Sequence, residues 1–211
     1  MYIYNFFGVV YMHFYRKEAL SEEEQRYIKY LAYNSLVTTV DEKQLPVLSS
    51  FPALYASNIF ILSRQHMGGP DNFKSCGDGA VMYVSATDHY CILYDEELPE
   101  SKIRWIVAKL LYFVECGIAN ESPNSFCRVY SDDMHTDAFA YQLTCPDVIL
   151  KECQILTPEE IITYCRIPFE YAYNKAHLLC RNESERIFHL LDDILLKNFR
   201  AFINSVLSLR R

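Results

Sequence analysis

The stretch that decides the fold is residues 89–117, which read HYCILYDEELPESKIRWIVAKLLYFVECG. Its first six residues, His89–Tyr94, form a short β-like run, which predicts a strand. Pro99 ends the acidic turn that follows, and we expect it in the first turn of a helix, where its missing N–H costs nothing. Apolar residues then cover more than one face of Glu100–Cys116. This pattern predicts a helix through the middle of the domain, closed by Gly117.

Two further strands and one helix are predicted before this unit. Ala80–Ser85 is a second β-like run, separated from the first strand by Ala86-Thr87-Asp88, and the two predict a hairpin. Ser57–Leu62 is a third run of the same kind. Ser21 is followed by three glutamates and by apolar residues at helical spacing, which predicts a capped helix to about Leu36. The sheet should therefore have about three strands.

The rest of the chain is predicted to be helical. After a polar loop over Asn120–Val129, Asp132 or Asp133 should cap a helix that runs through Leu143. Thr157-Pro158-Glu159-Glu160 is a capping-box sequence and predicts the next helix start. Further helices are expected over Phe169–Leu179 and from Glu183 to the end. The predicted fold class is α+β, with an N-terminal segment 1–20, a domain over 21–150 and a helical C-terminal portion of the same unit over 151–211.

Charge and cysteine content indicate which binding partners and which cellular compartment to expect. The chain has 211 residues and a net charge of −7, without the basic stripe that binds nucleic acid. Its eight cysteines lack any C-x-x-C pair, which favours buried thiols in a reducing cytoplasm. The opening MYIYNFFGVVYMHFY is too short and too polar to span a bilayer, so we interpret it as a strand. Translation from Met12 is an alternative start.

Three collinear stretches carry a resemblance to a known family. Tyr90–Ala108 looks like the edge strand and the start of the active helix of the ImmA/IrrE zinc metallopeptidases. Asp137–Pro146, DAFAYQLTCP, is similar to that family's E-A-x-x-F-A-x-x-L-L-x-P. Leu156–Ala172 resembles the segment that leads into the family's I-S-x-x-A-A. The resemblance implies a zincin-like core, with a small sheet over the central helix.

The residues that the family uses for catalysis are replaced in this chain. H-E-x-x-H places two histidines on one metal, with a glutamate that takes a proton from the metal-bound water. The resemblance puts Lys109 and Phe113 at the two histidines, Leu110 at the glutamate and His135 at the third ligand. Only His135 could bind a metal, and one imidazole does not hold zinc. Without zinc, the pKa of water stays far above the value of about 7 that a bound zinc ion gives it. We therefore expect no zinc and no peptidase activity by this mechanism.

Two interpretations of Lys109 are open. In one, Lys109 extends to solvent or meets Glu115 or an acid of the second helix. In the other, it replaces the positive charge of the zinc, pairs with the acids between Asp132 and Asp137 and holds two helices together. The acids around His135 also have a simpler explanation, since acids at a helix N-terminus are favoured by the helix dipole. The candidate cleft consists of Lys109, Tyr112, Phe113, His135 and Asp137.

The sequence leaves two candidate functions open. The first is a non-catalytic relative of the family, with a regulatory or protein-binding role in the cytoplasm. The family implies a helix-turn-helix repressor as partner, in a phage or mobile-element setting, and neither nucleic acid nor membrane is expected as a direct partner. The second is an active metallopeptidase with displaced ligands, His135 and nearby acids, which cleaves a repressor-like protein. Zinc content separates the two.

Overall fold

The computed structural model describes residues 20–38, 43–46, 51, 58–67, 76–129, 133–181 and 188–210. The predicted N-terminal strand, Met12 and the candidate helix cap Asp132 all lie outside the described residues. The structure within these ranges is a mixed α+β fold, as the sequence predicted.

Among the described residues, the sheet has four strands, in the order β1-β3-β2-β4. They are β1 (Ile59–Ser63), β2 (Gly79–Val84), β3 (His89–Tyr94) and β4 (Cys127–Arg128). The predicted hairpin is confirmed, because β2 and β3 pair antiparallel, whereas β1 runs parallel to β3. The prediction of a loop over Asn120–Val129 is wrong at β4. A two-residue strand leaves no alternation of polar and apolar residues to recognise.

The central helix is confirmed as α2, Glu100–Glu115, which follows a first helix α1, Glu22–Leu36. Pro99 lies one residue earlier than predicted, at the N-cap, where its carbonyl accepts hydrogen bonds from the amides of the first turn. The helix packs beneath β2 and β3 so closely that a Cβ atom added at Gly79 would lie 2.7 Å from Ile106 Cγ2. Glycine at this position therefore sets the distance between sheet and helix. Gly117 follows the helix with a φ of 72°.

The remaining helices are short and follow one another closely. They are α3 (Ile118–Glu121), α4 (Met134–Thr144), α5 (Asp147–Glu152), α6 (Pro158–Cys165), α7 (Phe169–Arg181), α8 (His189–Asn198) and α9 (Arg200–Ser208). The predicted caps are confirmed at Ser21 of α1, Asp133 of α4 and Thr157 of α6. The single helix predicted from Glu183 onward is wrong. The chain leaves the helical conformation at Phe199, whose ring is fully buried, and starts again as α9.

One hydrophobic cluster joins the sheet to the helices, from Ile28 of α1 to Val206 of α9. Within it, α4 packs against both α1 and α2, and this three-helix contact positions the candidate cleft. A smaller cluster of Cys76, Ala80, Cys91 and Leu93 lies apart from this main core. No helix in the described ranges is long and apolar enough to cross a membrane.

Candidate functional site

Lys109 and Asp137 form the centre of the candidate cleft. Lys109 lies on α2, and its Nζ is 2.8 Å from Oδ1 of Asp137 on α4. The lysine side chain is 3% exposed, whereas that of Asp137 is 22% exposed. Lys109 therefore pairs with an acid of the second helix, which both interpretations of this residue allow, so the replacement of a zinc charge stays a prediction. The pair joins α2 to α4.

The two halves of this ion pair have different access to water. Burial raises the pKa of Asp137, and the charge of Lys109 offsets that rise only in part. An interaction between opposite charges in the interior is strong, but both charges lose their hydration when they are buried. Without its partner, the charge of Lys109 would have almost no contact with water, whereas the carboxylate of Asp137 could still be hydrated. The loss of Asp137 should therefore cost more stability than the loss of Lys109.

Leu110 and Phe113, the neighbours of Lys109 in the candidate motif, belong to the hydrophobic core. Leu110 is fully buried and faces β2, since its Cδ1 atom would lie 3.1 Å from a Cβ added at Gly79. Phe113 is also buried and packs near Tyr112, with 6.2 Å between ring centroids. Neither side chain carries an atom that binds a metal or moves a proton. They extend the packing of α2 instead.

His135 lies on a different face of α4 from Asp137, because residues two apart on a helix do not face each other. Its Nε2 atom is 3.6 Å from Oε1 of Glu24 on α1, and its ring centroid is 6.3 Å from that of Tyr112. Burial raises the pKa of Tyr112 well above its ordinary value. The structure thus brings Lys109 to Asp137 and His135 to Glu24.

No family model, no curated protein and no solved structure matches this chain. The resemblance to the ImmA/IrrE peptidases therefore depends on the stretches quoted above.

The residues of the cleft do not fit a zinc ion. The ammonium group of Lys109 repels a metal cation, and Leu110 and Phe113 offer no donor atoms. In the part of the chain that the structure describes, no three His, Cys, Asp or Glu side chains are grouped so that they could hold a metal ion.

Sequence reasoning missed an aromatic cluster beside the ion pair. Trp105 lies one turn before Lys109 and stacks on Tyr171 of α7, with 4.2 Å between ring centroids. Tyr141, one turn after Asp137, meets the same indole edge-on at 4.8 Å. These contacts join α7 to α2 and α4, and a single sequence gives no signal for such contacts between distant helices.

The sequence analysis also did not predict that Arg104 is buried. It is 2% exposed, and none of its three guanidinium nitrogens has a hydrogen-bond partner within the described residues. Burial lowers its pKa, which is the expected response of a desolvated cation. The signal available in the sequence is a basic residue inside the apolar run of the central helix.

Proposed function

We propose that this chain is a non-catalytic relative of the ImmA/IrrE zinc metallopeptidases that acts by binding a protein partner in the cytoplasm. The ion pair between Lys109 and Asp137 carries the proposal, because it gives the two helices a buried positive charge where the resemblance implies a metal. A buried pair needs no metal to hold α2 against α4. The scaffold can then persist after its catalytic residues are lost.

A row of exposed aromatic residues on α7 supports a binding role. Phe169 and Tyr173 are both largely exposed, with 6.4 Å between their ring centroids. The exposed His177 continues the row one turn later, 5.7 Å from the ring of Tyr173. Single exposed apolar residues are common, but neighbouring aromatic residues are enriched at protein interfaces. We call Phe169, Tyr173 and His177 the aromatic row.

The nature of the partner is part of the proposal. The family resemblance favours a helix-turn-helix repressor or a peptide segment of one, in a phage or mobile-element system. The net charge of −7 makes direct binding to nucleic acid unfavourable.

Site-specific crosslinking in cells tests the binding role. We expect a photoreactive p-benzoylphenylalanine in place of Tyr173 to crosslink one discrete protein. The same residue in place of Glu152, which is exposed on α5, should give no such product. A second variant, Phe169→Ser, should reduce the crosslink from position 173. If the aromatic row gives no discrete product, or if both positions give the same one, the proposed binding surface is wrong.

The alternative of an active peptidase makes a different prediction. It requires zinc bound by displaced ligands, with hydrolysis that a chelator abolishes. Cleavage of the crosslinked partner by the purified chain, lost after chelation, would establish that alternative and overturn the proposal.

A further inference from the structure

A half-enclosed cavity of about 340 Å³ lies between α1, α4, α5 and α7. One part of its wall is apolar and includes Ile28, Leu178 and Leu179. Another part is charged and includes Asp147 and Lys175. Cavities that bind small molecules combine an apolar lining with a few polar groups, and this one is at the small end of their usual range of roughly 300–1,000 Å³. The class of ligand depends on whether the charges in the wall are already balanced.

The carboxylate of Asp147 is balanced by two lysines. Nζ of Lys175 is 2.5 Å from Oδ1, and Nζ of Lys29 is 3.3 Å from Oδ2. Gln142 also donates a hydrogen bond to Oδ2 at 2.9 Å. Burial alone would raise the pKa of Asp147, but the two lysines hold it well below its usual range. The charges of Asp147 and Lys175 are therefore used within the protein.

The other charged groups of the wall also have partners. Asp137 faces Lys109 in the ion pair of the cleft, and Lys151 interacts with other groups of the chain. The described residues that line the cavity thus include two acids and two lysines, each with a partner of its own. A charged ligand would lose its hydration here without gaining an unpaired counter-charge. The wall therefore favours an uncharged ligand.

Neutral hydrogen-bonding groups complete the wall. Tyr141 and Tyr171 each contribute a phenol, and Gln25, Gln142 and Asn174 contribute amides. Burial raises the pKa of both tyrosines, so their hydroxyl groups stay protonated and uncharged at neutral pH. Hydroxyl and amide groups both donate and accept hydrogen bonds. These groups can orient a ligand that has a neutral polar group of its own.

We propose that this cavity binds a small uncharged amphiphile, a molecule with an apolar body and one hydroxyl or amide group. The apolar body packs on Ile28, Leu178 and Leu179, where its burial removes apolar surface from water. The neutral polar group exchanges hydrogen bonds with the phenols and amides of the wall. This inference goes beyond the proposed function, since none of the three residues of the aromatic row lines the cavity.

Three indoles with the same ring test the charge requirement. Tryptophol carries a neutral hydroxyl, indole-3-acetate a carboxylate and tryptamine an ammonium group. Met134 lines the cavity and Met82 lies on β2, so NMR of carbon-13-labelled methionine methyl groups has both a reporter and a control. We expect tryptophol to shift the Met134 signal saturably and to bind at least tenfold more tightly than either charged analogue. The Met82 signal should stay in place.

Two variants locate the binding site. Ala138 is half-buried in the wall, so Ala138→Phe should fill part of the cavity and weaken tryptophol binding at least tenfold. Leu178 lines the cavity and is 45% exposed, so Leu178→Ser should fold and weaken binding several-fold, because it removes part of the apolar wall. Leu190→Ser is the matched control on α8, at a leucine that is 75% exposed, and should leave the affinity unchanged.

Three outcomes overturn the inference. The absence of a saturable shift of Met134 with tryptophol would show that no such site exists. Equal or tighter binding of indole-3-acetate or tryptamine would show that the wall does offer charge to a ligand. Unchanged tryptophol affinity in the folded variants at Leu178 and Ala138 would place the ligand elsewhere. None of these results bears on zinc content or on crosslinking from Tyr173, so the proposed function is tested separately.

Discussion

The ion pair between Lys109 and Asp137 leads to an asymmetric prediction for its two single variants. Asp137→Asn leaves the charge of Lys109 in the interior, where its side chain is 3% exposed. Loss of one partner of a buried pair costs about 3–5 kcal/mol, which for a chain of this size lowers Tm by roughly 6–20 °C. Lys109→Met leaves Asp137, which is 22% exposed and whose pKa burial already raises, so this acid can hydrate or take up a proton. We expect a smaller cost, about 1–3 kcal/mol.

The double variant measures the interaction itself. Lys109→Met with Asp137→Asn removes both charges, so its cost should be less than the sum of the two single costs. A surface ion pair between another lysine of α2 and the turn before β2 provides the matched control. Lys102 Nζ is 2.9 Å from Oδ2 of Asp78, but the two side chains are 44% and 50% exposed. Lys102→Met should therefore cost no more than about 1 kcal/mol.

Urea unfolding followed by tryptophan fluorescence is the assay. Trp105 is the single tryptophan of the chain and lies buried one turn from Lys109, so it reports on this region directly. Free energies of unfolding, fitted with one m-value, then compare the two single variants with each other, with the double variant and with Lys102→Met. A cost for Lys109→Met no larger than that of Lys102→Met, or additive single costs, would refute a structural role for the pair.

Three further predictions concern other buried groups. Gly79→Ala should cost about 1–3 kcal/mol in urea unfolding, because the new Cβ atom would lie 2.7 Å from Ile106 Cγ2; a neutral result would mean that the helix can move away from the sheet. Arg104→Met should raise stability by about 1–4 kcal/mol, since it removes a buried cation that makes no hydrogen bond to the described residues; lower stability would reveal an acceptor for the guanidinium. Asp147 has a depressed pKa in the folded state, so it contributes stability above the unfolded pKa of about 3.9 that is lost as pH falls below it. Asp147→Asn should therefore show a flatter fall in Tm from pH 6 to pH 3 than the unsubstituted chain, and parallel curves would contradict the interaction with Lys175.

The local elements of the fold could be predicted because their signals are local. Ser21 and Thr157 cap helices through contacts with residues three positions later, and both capping boxes are present. The hairpin of β2 and β3 follows from two short apolar runs and a tight turn. By contrast, β4 and the break at Phe199 depend on distant packing. No periodicity within those segments could show either feature.

The candidate cleft was predictable in part. The central helix and the capped helix after it indicated that Lys109 and an acid near Asp137 could meet, and they do. The sequence could not show that His135 contacts Glu24, because α1 and α4 are far apart in the sequence. The shared carboxylate of Asp147 was missed for the same reason. Its two lysines come from α1 and α7, which are far apart in the sequence.

Zinc stoichiometry tests the central claim most directly. Native mass spectrometry of the chain, purified without chelators from zinc-replete cells, reports the mass of any metal bound to the folded protein. If Lys109 and Asp137 replace the metal, the folded chain should carry only its own mass, before and after incubation with zinc. One zinc ion per folded chain, lost with chelation, would contradict the account.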